Sequence, residues 1–507
     1  MSKRSDFKSF ETNFQNSKTQ LVWQWVPADL ETTVSAFLKL SKNKPYSLML
    51  ESVEGGAVLG RYSAIGLDPD LIWMYKKGEK VSIRENDEER TEEADPLTSL
   101  REQIALSKID IVDESIPPMG PSGLFGYMGY DCVRLIEEIP DDNPDVLNVP
   151  ESIMMRPTLM VIFDNVKNMM CLITPVRHHA SNCEKPAQHH FDKAQSVLAG
   201  ALNLLSEPID QTVLHNQSSI ETPLKPESNM TRDAFHSMVK RAKEYILAGD
   251  IFQVVPSQRF SVDFDLPAFD LYRSLRRLNP SPFLFYINFD GFALVGSSPE
   301  ILVRLRNNKM TIRPIAGTRK RGIDAAEDKE LQEDLLGDPK EISEHLMLLD
   351  LGRNDIGRVS ENSSVDVTDQ FTVEHYSHVM HIVSNVEGQL KAGMDSLDAL
   401  FAGFPAGTVS GAPKIRAMEI IDELEPDRRG TYAGCVGYFD GNGDLDTCIA
   451  LRTALVKDGK VYAQAGGGVV ADSDPEFEYQ ESCNKAKAVL QAAEDAIDIA
   501  KAQNPNG

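Results

Sequence analysis

Two pairs of glutamates carry the first chemical signal. Glu341 and Glu344 stand three residues apart beside the apolar run HLMLLDLG (345–352), and Glu478 and Glu481 repeat the spacing further along the chain. Residues three apart share one helix face, so each pair can present two carboxylates to one point. Four acidic oxygen donors suit a hard cation, and Mg2+ in particular takes carboxylates, retained waters and substrate oxygens. The competing reading is that glutamates near helix starts complement the macrodipole. Arg452 lies inside the apolar run CIALRTALV (448–456), where an unpaired charge is costly. It needs either a structural Asp or Glu or a substrate carboxylate. His381, in HVMHIVSNVEG (378–388), is either a satisfied core histidine or an acid or base near neutral pH.

Two glycine-rich stretches add anion-friendly backbone. AGGGVV (465–470) follows a strand, and FPAGTVSGAP (404–413) precedes a helix starting near Lys414. Glycines let N–H groups approach an anion, and a helix N-terminus favours it. Neither stretch matches a nucleotide-binding fingerprint, and tight turns for packing are the competing reading. DGNGDLD (440–446) departs from a calcium loop, with Leu445 at the sharp-turn glycine position and Leu451 at that of the bidentate glutamate. It reads as a hairpin turn. His178, His179, Cys183, His189 and His190 fit no zinc template and read as a solvent-exposed connection.

The elements that must hold these residues follow from local pattern. Runs at 46–51, 71–75 and 159–164 look like buried strands, and 196–205 looks like a closing helix. Thr231 caps a helix with Phe235, Met238, Val239, Ala242 and Ile246 on one face and Gly249 as its stop. Strands follow at 251–256, 283–288, 292–296, 301–305 and 310–314, then a helix over 341–351. A hairpin joins 434–440 to 447–456, and Asp474-Pro475 opens a long last helix. Residues 206–230 are rich in Pro, Ser, Asn and Gln and read as a linker, dividing the chain into 1–225 and 226–507. Regular βαβ alternation is absent, which disfavours a dinucleotide-binding fold.

Composition narrows the partners. The 507 residues include 52 Lys and Arg against 77 Asp and Glu, a formal charge of −25. That field repels nucleic acid and anionic membrane surfaces. No apolar run of about 18 residues appears, and the six cysteines form no Cys-x-x-Cys pair. The expectation is a cytoplasmic protein of more than one domain, with no nucleic acid and no membrane as partner.

Seven stretches together resemble one family, the chorismate-utilising enzymes: PIAGTRKRG (314–322), EHLMLLDLGRNDIGRV (344–359), HVMHIVSNVEG (378–388), FPAGTVSGAPKIRAMEIIDELEP (404–426), YAGCVGYF (432–439), DTCIALRT (446–453) and QAGGGVV with ESCNKAKAV (464–470, 481–489). The resemblance implies an α+β fold of large, mainly antiparallel sheets sandwiched together with helices packed outside. It makes 226–507 the chorismate-binding catalytic region and 1–225 a regulatory, tryptophan-binding one. Two positions discriminate within the family. Ala316 stands where some members carry a nucleophilic lysine, and Gln253 where isochorismate synthases carry a water-activating one. The pattern then resembles the anthranilate synthase component I branch, since ammonia needs no such base.

That branch implies roles residue by residue. Glu344 and Glu481 hold Mg2+, with Glu341 and Glu478 helping through water. Arg452 and Tyr432 bind the enolpyruvyl carboxylate, Gly466, Gly467 and Gly468 offer backbone N–H groups, and Gly317, Thr318 and Thr408 complete the walls. Glu300 is the acid for the leaving hydroxyl, and His381 assists aromatisation; Thr408 stands with these two in the catalytic set. LMLES (48–52) and NPSPFLF (279–285) resemble the tryptophan feedback pocket, giving Glu51, Ser52, Pro282, Phe283 and Leu284; Met49 and Leu284 depart from the usual residues. No cysteine sits in a glutaminase setting, so a separate glutamine amidotransferase subunit, component II, supplies ammonia in a heterotetramer. The alternatives are an aminodeoxyisochorismate synthase, which stops before pyruvate loss, and a catalytically silent tryptophan sensor.

Overall fold

The computed structural model describes residues 4–54, 58–86, 88–119, 122–178, 185–210, 216–376 and 379–503. Successive strand residues point to opposite faces, and the apolar pairs of this chain serve two cores at once. Leu48, Phe285 and Leu294 enter a core built almost wholly of strand residues, while their neighbours Met49, Tyr286 and Val295 enter a second core against helices. The helices there are Phe7–Gln15, Thr33–Ser41, Ala187–Ser206, Ala268–Leu278 and Pro475–Gln503. A third core lies under Pro96–Leu106, Pro339–Val359 and Ser396–Gly403. The result is the α+β sandwich with outer helices that the resemblance implies. Among the described residues, 21 strands join one hydrogen-bonded sheet with antiparallel ladders.

The sheet passes through the linker boundary. Strand Ser47–Glu51 pairs with Phe283–Asn288, and Leu124–Met128 pairs with Cys435–Phe439. No helix of the described residues is long and apolar enough to cross a membrane.

Local signals explain the helices that carry the glutamates. Asp338 caps Pro339–Val359 by accepting from the Lys340 N–H at 3.0 Å, and proline occupies the first turn, where its missing N–H costs nothing. The helix runs eight residues past its expected end at 351. Asp474 accepts from the Glu476 and Phe477 N–H groups at 3.0 and 2.9 Å and starts Pro475–Gln503. Thr231 and Gly249 bound Arg232–Ala248 as read, the glycine at φ 86°.

Two strand expectations need correction. The run 447–456 is not one strand but two, Leu445–Ile449 and Thr453–Lys457, broken where Arg452 adopts φ 47°. The first pairs with Cys435–Phe439 and the second with Phe292–Ser298, so the chain must change partners between them. The run 251–256 shortens to Gln253–Val254, paired with Gly411–Ala412. His179 and Cys183 lie outside the described residues.

Candidate active site

One cavity of about 510 Å³ gathers most of the residues singled out above. Glu341 and Glu344 enter it from helix Pro339–Val359, and Glu478 and Glu481 from the start of Pro475–Gln503. Burial, then the neighbouring Glu341 and Glu481 charges, hold the Glu344 carboxyl above its ordinary value. Burial pushes Glu478 up to about 7, with Glu481 adding to it. Each of the four carboxylates has a polar partner, Ser473 being that of Glu478. Arg319 Nη1 donates to Glu341 at 3.1 Å, Lys485 Nζ lies 2.6 Å from Glu481, and Gln253 Nε2 donates to Glu344 at 3.5 Å. Glu478 Oε2 is buried with no hydrogen-bond partner. A Cβ on Gly467 would stand 2.7 Å from that oxygen, so a larger residue there would push the Glu478 side chain aside.

These carboxylates fit a hard divalent cation. They repel one another, and one buried oxygen lacks a donor. Among the described residues no three His, Cys, Asp or Glu stand close enough together to hold a metal ion as they lie, so the four carboxylates would have to draw in around one. An open set with room for waters and substrate oxygens is the arrangement Mg2+ uses.

Arg452 faces the same cavity from the break between its two strands. Its carbonyl accepts from the Ser297 N–H at 3.2 Å. Among the described residues, no carboxylate lies within ion-pair distance of its guanidinium, although burial lowers its pKa. Of the two partners the sequence allowed, a structural Asp or Glu is therefore excluded. Tyr432 is buried beside it, its hydroxyl pushed up to about 12 by burial, and the Arg429 guanidinium lies 5.5 Å from its ring centre.

His381 sits on strand Val379–Gln389, opposite Thr318. The register shifts between Ala316 and Thr318, where Gly317 has φ 72°. That bulge aims the Gly317 carbonyl at His381 Nδ1, 3.0 Å away. Nδ1 also lies 3.0 Å from Thr318 Oγ1; since the carbonyl only accepts, the tautomer that serves it carries the hydrogen on Nδ1, with the hydroxyl as a second acceptor, and leaves Nε2 as the basic atom. Burial keeps the imidazole pKa below 6.5, and the Tyr376 ring packs edge-on at 5.5 Å. Glu300, 8% exposed, occupies the turn between Phe292–Ser298 and Ile301–Arg306. Burial pushes its carboxyl up to about 8 against a 3.3 Å hydrogen bond from Thr408 Oγ1.

Of the expected catalytic, substrate and metal residues, the cavity wall includes all but Gly467, which turns toward Glu478. Arg319, Lys485 and Tyr376 were not foreseen. The Glu481–Lys485 spacing of four is a helical pairing signal that could have revealed one of them; Tyr376 carries no local signal. A second cavity of about 370 Å³ is lined by Glu51, Ser52, Phe283 and Leu284, with Pro282 outside its wall. Glu51 is already engaged there, accepting from Arg276 Nε and Tyr272 Oη, each at 2.6 Å.

Acidic pairs, a lone arginine, a neutral acid and a neutral base around one cavity on this sandwich define an enzyme of small-anion chemistry. A family model described as chorismate binding enzyme matches residues 64–491, and the chain belongs to that family. Within it, the chain is similar to anthranilate synthase component 1 of Cereibacter sphaeroides, 51% identical over 97% of this chain and 98% of the relative. The same protein of Aquifex aeolicus is 45% identical over 92% and 93%. Among solved structures, anthranilate synthase component I of Streptococcus pneumoniae superposes with a TM-score of 0.74 at 36% identity, covering 92% of this chain and 99% of that one. The menaquinone-specific isochorismate synthase of Escherichia coli, at 20% identity over 96% and 99% and a TM-score of 0.67, shares the fold.

Proposed function

We propose that this chain is the large subunit of an anthranilate synthase, converting chorismate and ammonia to anthranilate and pyruvate in tryptophan biosynthesis. The observation that carries the reading is the unpaired Arg452 facing four carboxylates across a cavity with Ala316 and Gln253 at the lysine positions. Glu344 and Glu481, assisted by Glu341 and Glu478, would hold Mg2+, which would supply positive charge against the ring carboxylate. Arg452 and Tyr432 hold the enolpyruvyl carboxylate, and the backbone at 466–468 supports the ring. Ammonia bonds to C2 while the C4–O bond breaks, and Glu300 gives its proton to the departing oxygen, which leaves as water. The new ammonium group sheds one proton. His381 Nε2 then takes the proton on C2, the C3–O bond breaks, and the enolpyruvyl oxygen leaves with the electron pair, takes a proton and becomes pyruvate. The ring is then aromatic.

Ammonia comes from glutamine through a separate amidotransferase subunit, component II, in a heterotetramer, and the reading carries a cytoplasmic location with it. Tryptophan occupies the 370 Å³ cavity as feedback inhibitor, its indole against Phe283 and Leu284. The test is anthranilate fluorescence with pyruvate measured in parallel, from purified protein given chorismate, Mg2+ and ammonium. Equal amounts of both products, lost with EDTA, are expected. An amino-dihydro product without pyruvate would replace the reading with aminodeoxyisochorismate synthase. Tryptophan binding without turnover would replace it with a sensor.

A further inference from the structure

At Glu300 and Thr408 the substrate cavity meets a second space of about 30 Å³. Glu300, Leu348 and Thr408 line both. One stripe of helix Pro339–Val359 walls the two in succession, Glu341 and Glu344 on the large cavity and Leu351, Gly352 and Asp355 on the small one. At a rise of 1.5 Å per residue, Gly352 lies about 12 Å along the helix from Glu344. The small space therefore lies beyond Glu300, away from the carboxylates. The large cavity reaches solvent at the other end, past Phe477, 66% exposed, and Lys340, 63% exposed at its side chain.

The reaction proposed above expels water beside Glu300, where the large cavity meets the small space. A water takes about 30 Å³ of liquid volume and needs two to four polar partners. The small space has room for one such molecule, and its lining includes Thr408, Glu300 and Asp355 among apolar walls.

We propose that this space receives the water expelled from C4. The C4–O bond breaks with both electrons going to oxygen, the Glu300 proton joins that oxygen, and the water passes the Thr408 hydroxyl into the space beside Gly352. The proposal rests on the reading of Glu300 as the acid. Gly352 keeps the space open: a Cβ there would lie 3.3 Å from Pro314 and 3.5 Å from Ile312, both of which line it.

The test is Gly352→Ala, with Gly357→Ala on the same helix as control, since a Cβ at 357 meets nothing within 4 Å. Both changes favour the helix. For Gly352→Ala, ammonia-dependent kcat falls about tenfold, part of the ~10²-fold that general-acid assistance is worth, while KM for chorismate and the Mg2+ requirement match Gly357→Ala. Equal kcat in the two variants overturns the proposal. Slow turnover in Glu300→Gln beside normal turnover in Gly352→Ala removes the water site and leaves the acid in place. Normal turnover in Glu300→Gln removes both. If Gly352→Ala does not fold, a high-resolution crystal structure of the native protein with anthranilate bound decides: an ordered water on Thr408 Oγ1 supports the site, and a dry space overturns it.

Discussion

A carboxyl group that donates a proton at neutral pH must be kept from ionising, and at Glu300 desolvation does this with no neighbouring charge among its causes. The sign follows directly. The pKa is raised to about 8, so the donating form is present below that pH and disappears as pH rises through it. His381 is shifted the other way, below 6.5, so its accepting form is lost only in acid. With saturating ammonia, kcat is expected to rise through the acid limb and fall near pH 8. Glu300→Gln should lower turnover about tenfold or more and abolish the alkaline limb; a surviving limb would assign it to another group. Arg452 makes a geometric demand instead. Arg452→Lys keeps the charge and loses the fork, so KM for chorismate should rise about tenfold or more, the worth of one charged hydrogen bond. An unchanged KM would mean that the carboxylate sits elsewhere.

Helices were more legible than strand breaks. Thr231 and Gly249 announce Arg232–Ala248 because caps and stops are written in neighbouring residues. CIALRTALV reads as one strand because nothing in it marks the turn at Arg452. That left-handed residue sits where its flanks pair with different strands and its carbonyl takes the Ser297 N–H. The motifs named the glutamates, His381 and Glu300, since type and spacing travel with the chain. The Glu300–Thr408 bond and the Tyr376 ring on His381 arise only when distant elements meet. Ser297 is another such meeting. Its hydroxyl donates to the Asn279 carbonyl at the start of the second tryptophan element, and its N–H holds Arg452. Ser297→Ala is expected to raise the tryptophan concentration for half-inhibition about fivefold or more, within the usual range of coupling between sites, with KM for chorismate little changed. Inhibition equal to the native protein would exclude this link.

At the scale of the molecule, the linker near 225 divides the sequence without dividing the core. Residues from both sides fill the interior of the sandwich, and the 370 Å³ cavity takes Glu51 and Leu284 from directly paired strands. A fragment of residues 226–507 therefore exposes apolar sheet and is expected to be insoluble or molten, whereas co-expressed 1–225 should rescue it. A cooperative thermal transition from 226–507 alone would show the catalytic half to be self-sufficient. The same pairing sets a schedule during synthesis. Strand Ser47–Glu51 meets Tyr62–Tyr75 early on one edge, but its other edge waits for Phe283–Asn288. At about 5–20 residues per second, that wait lasts roughly 10–50 s. For that time the nascent chain offers an open, largely apolar edge, SLMLE, to any neighbour on the polysome. The yield of folded protein is therefore expected to respond to chaperone supply and translation speed as well as to the stability of the finished fold.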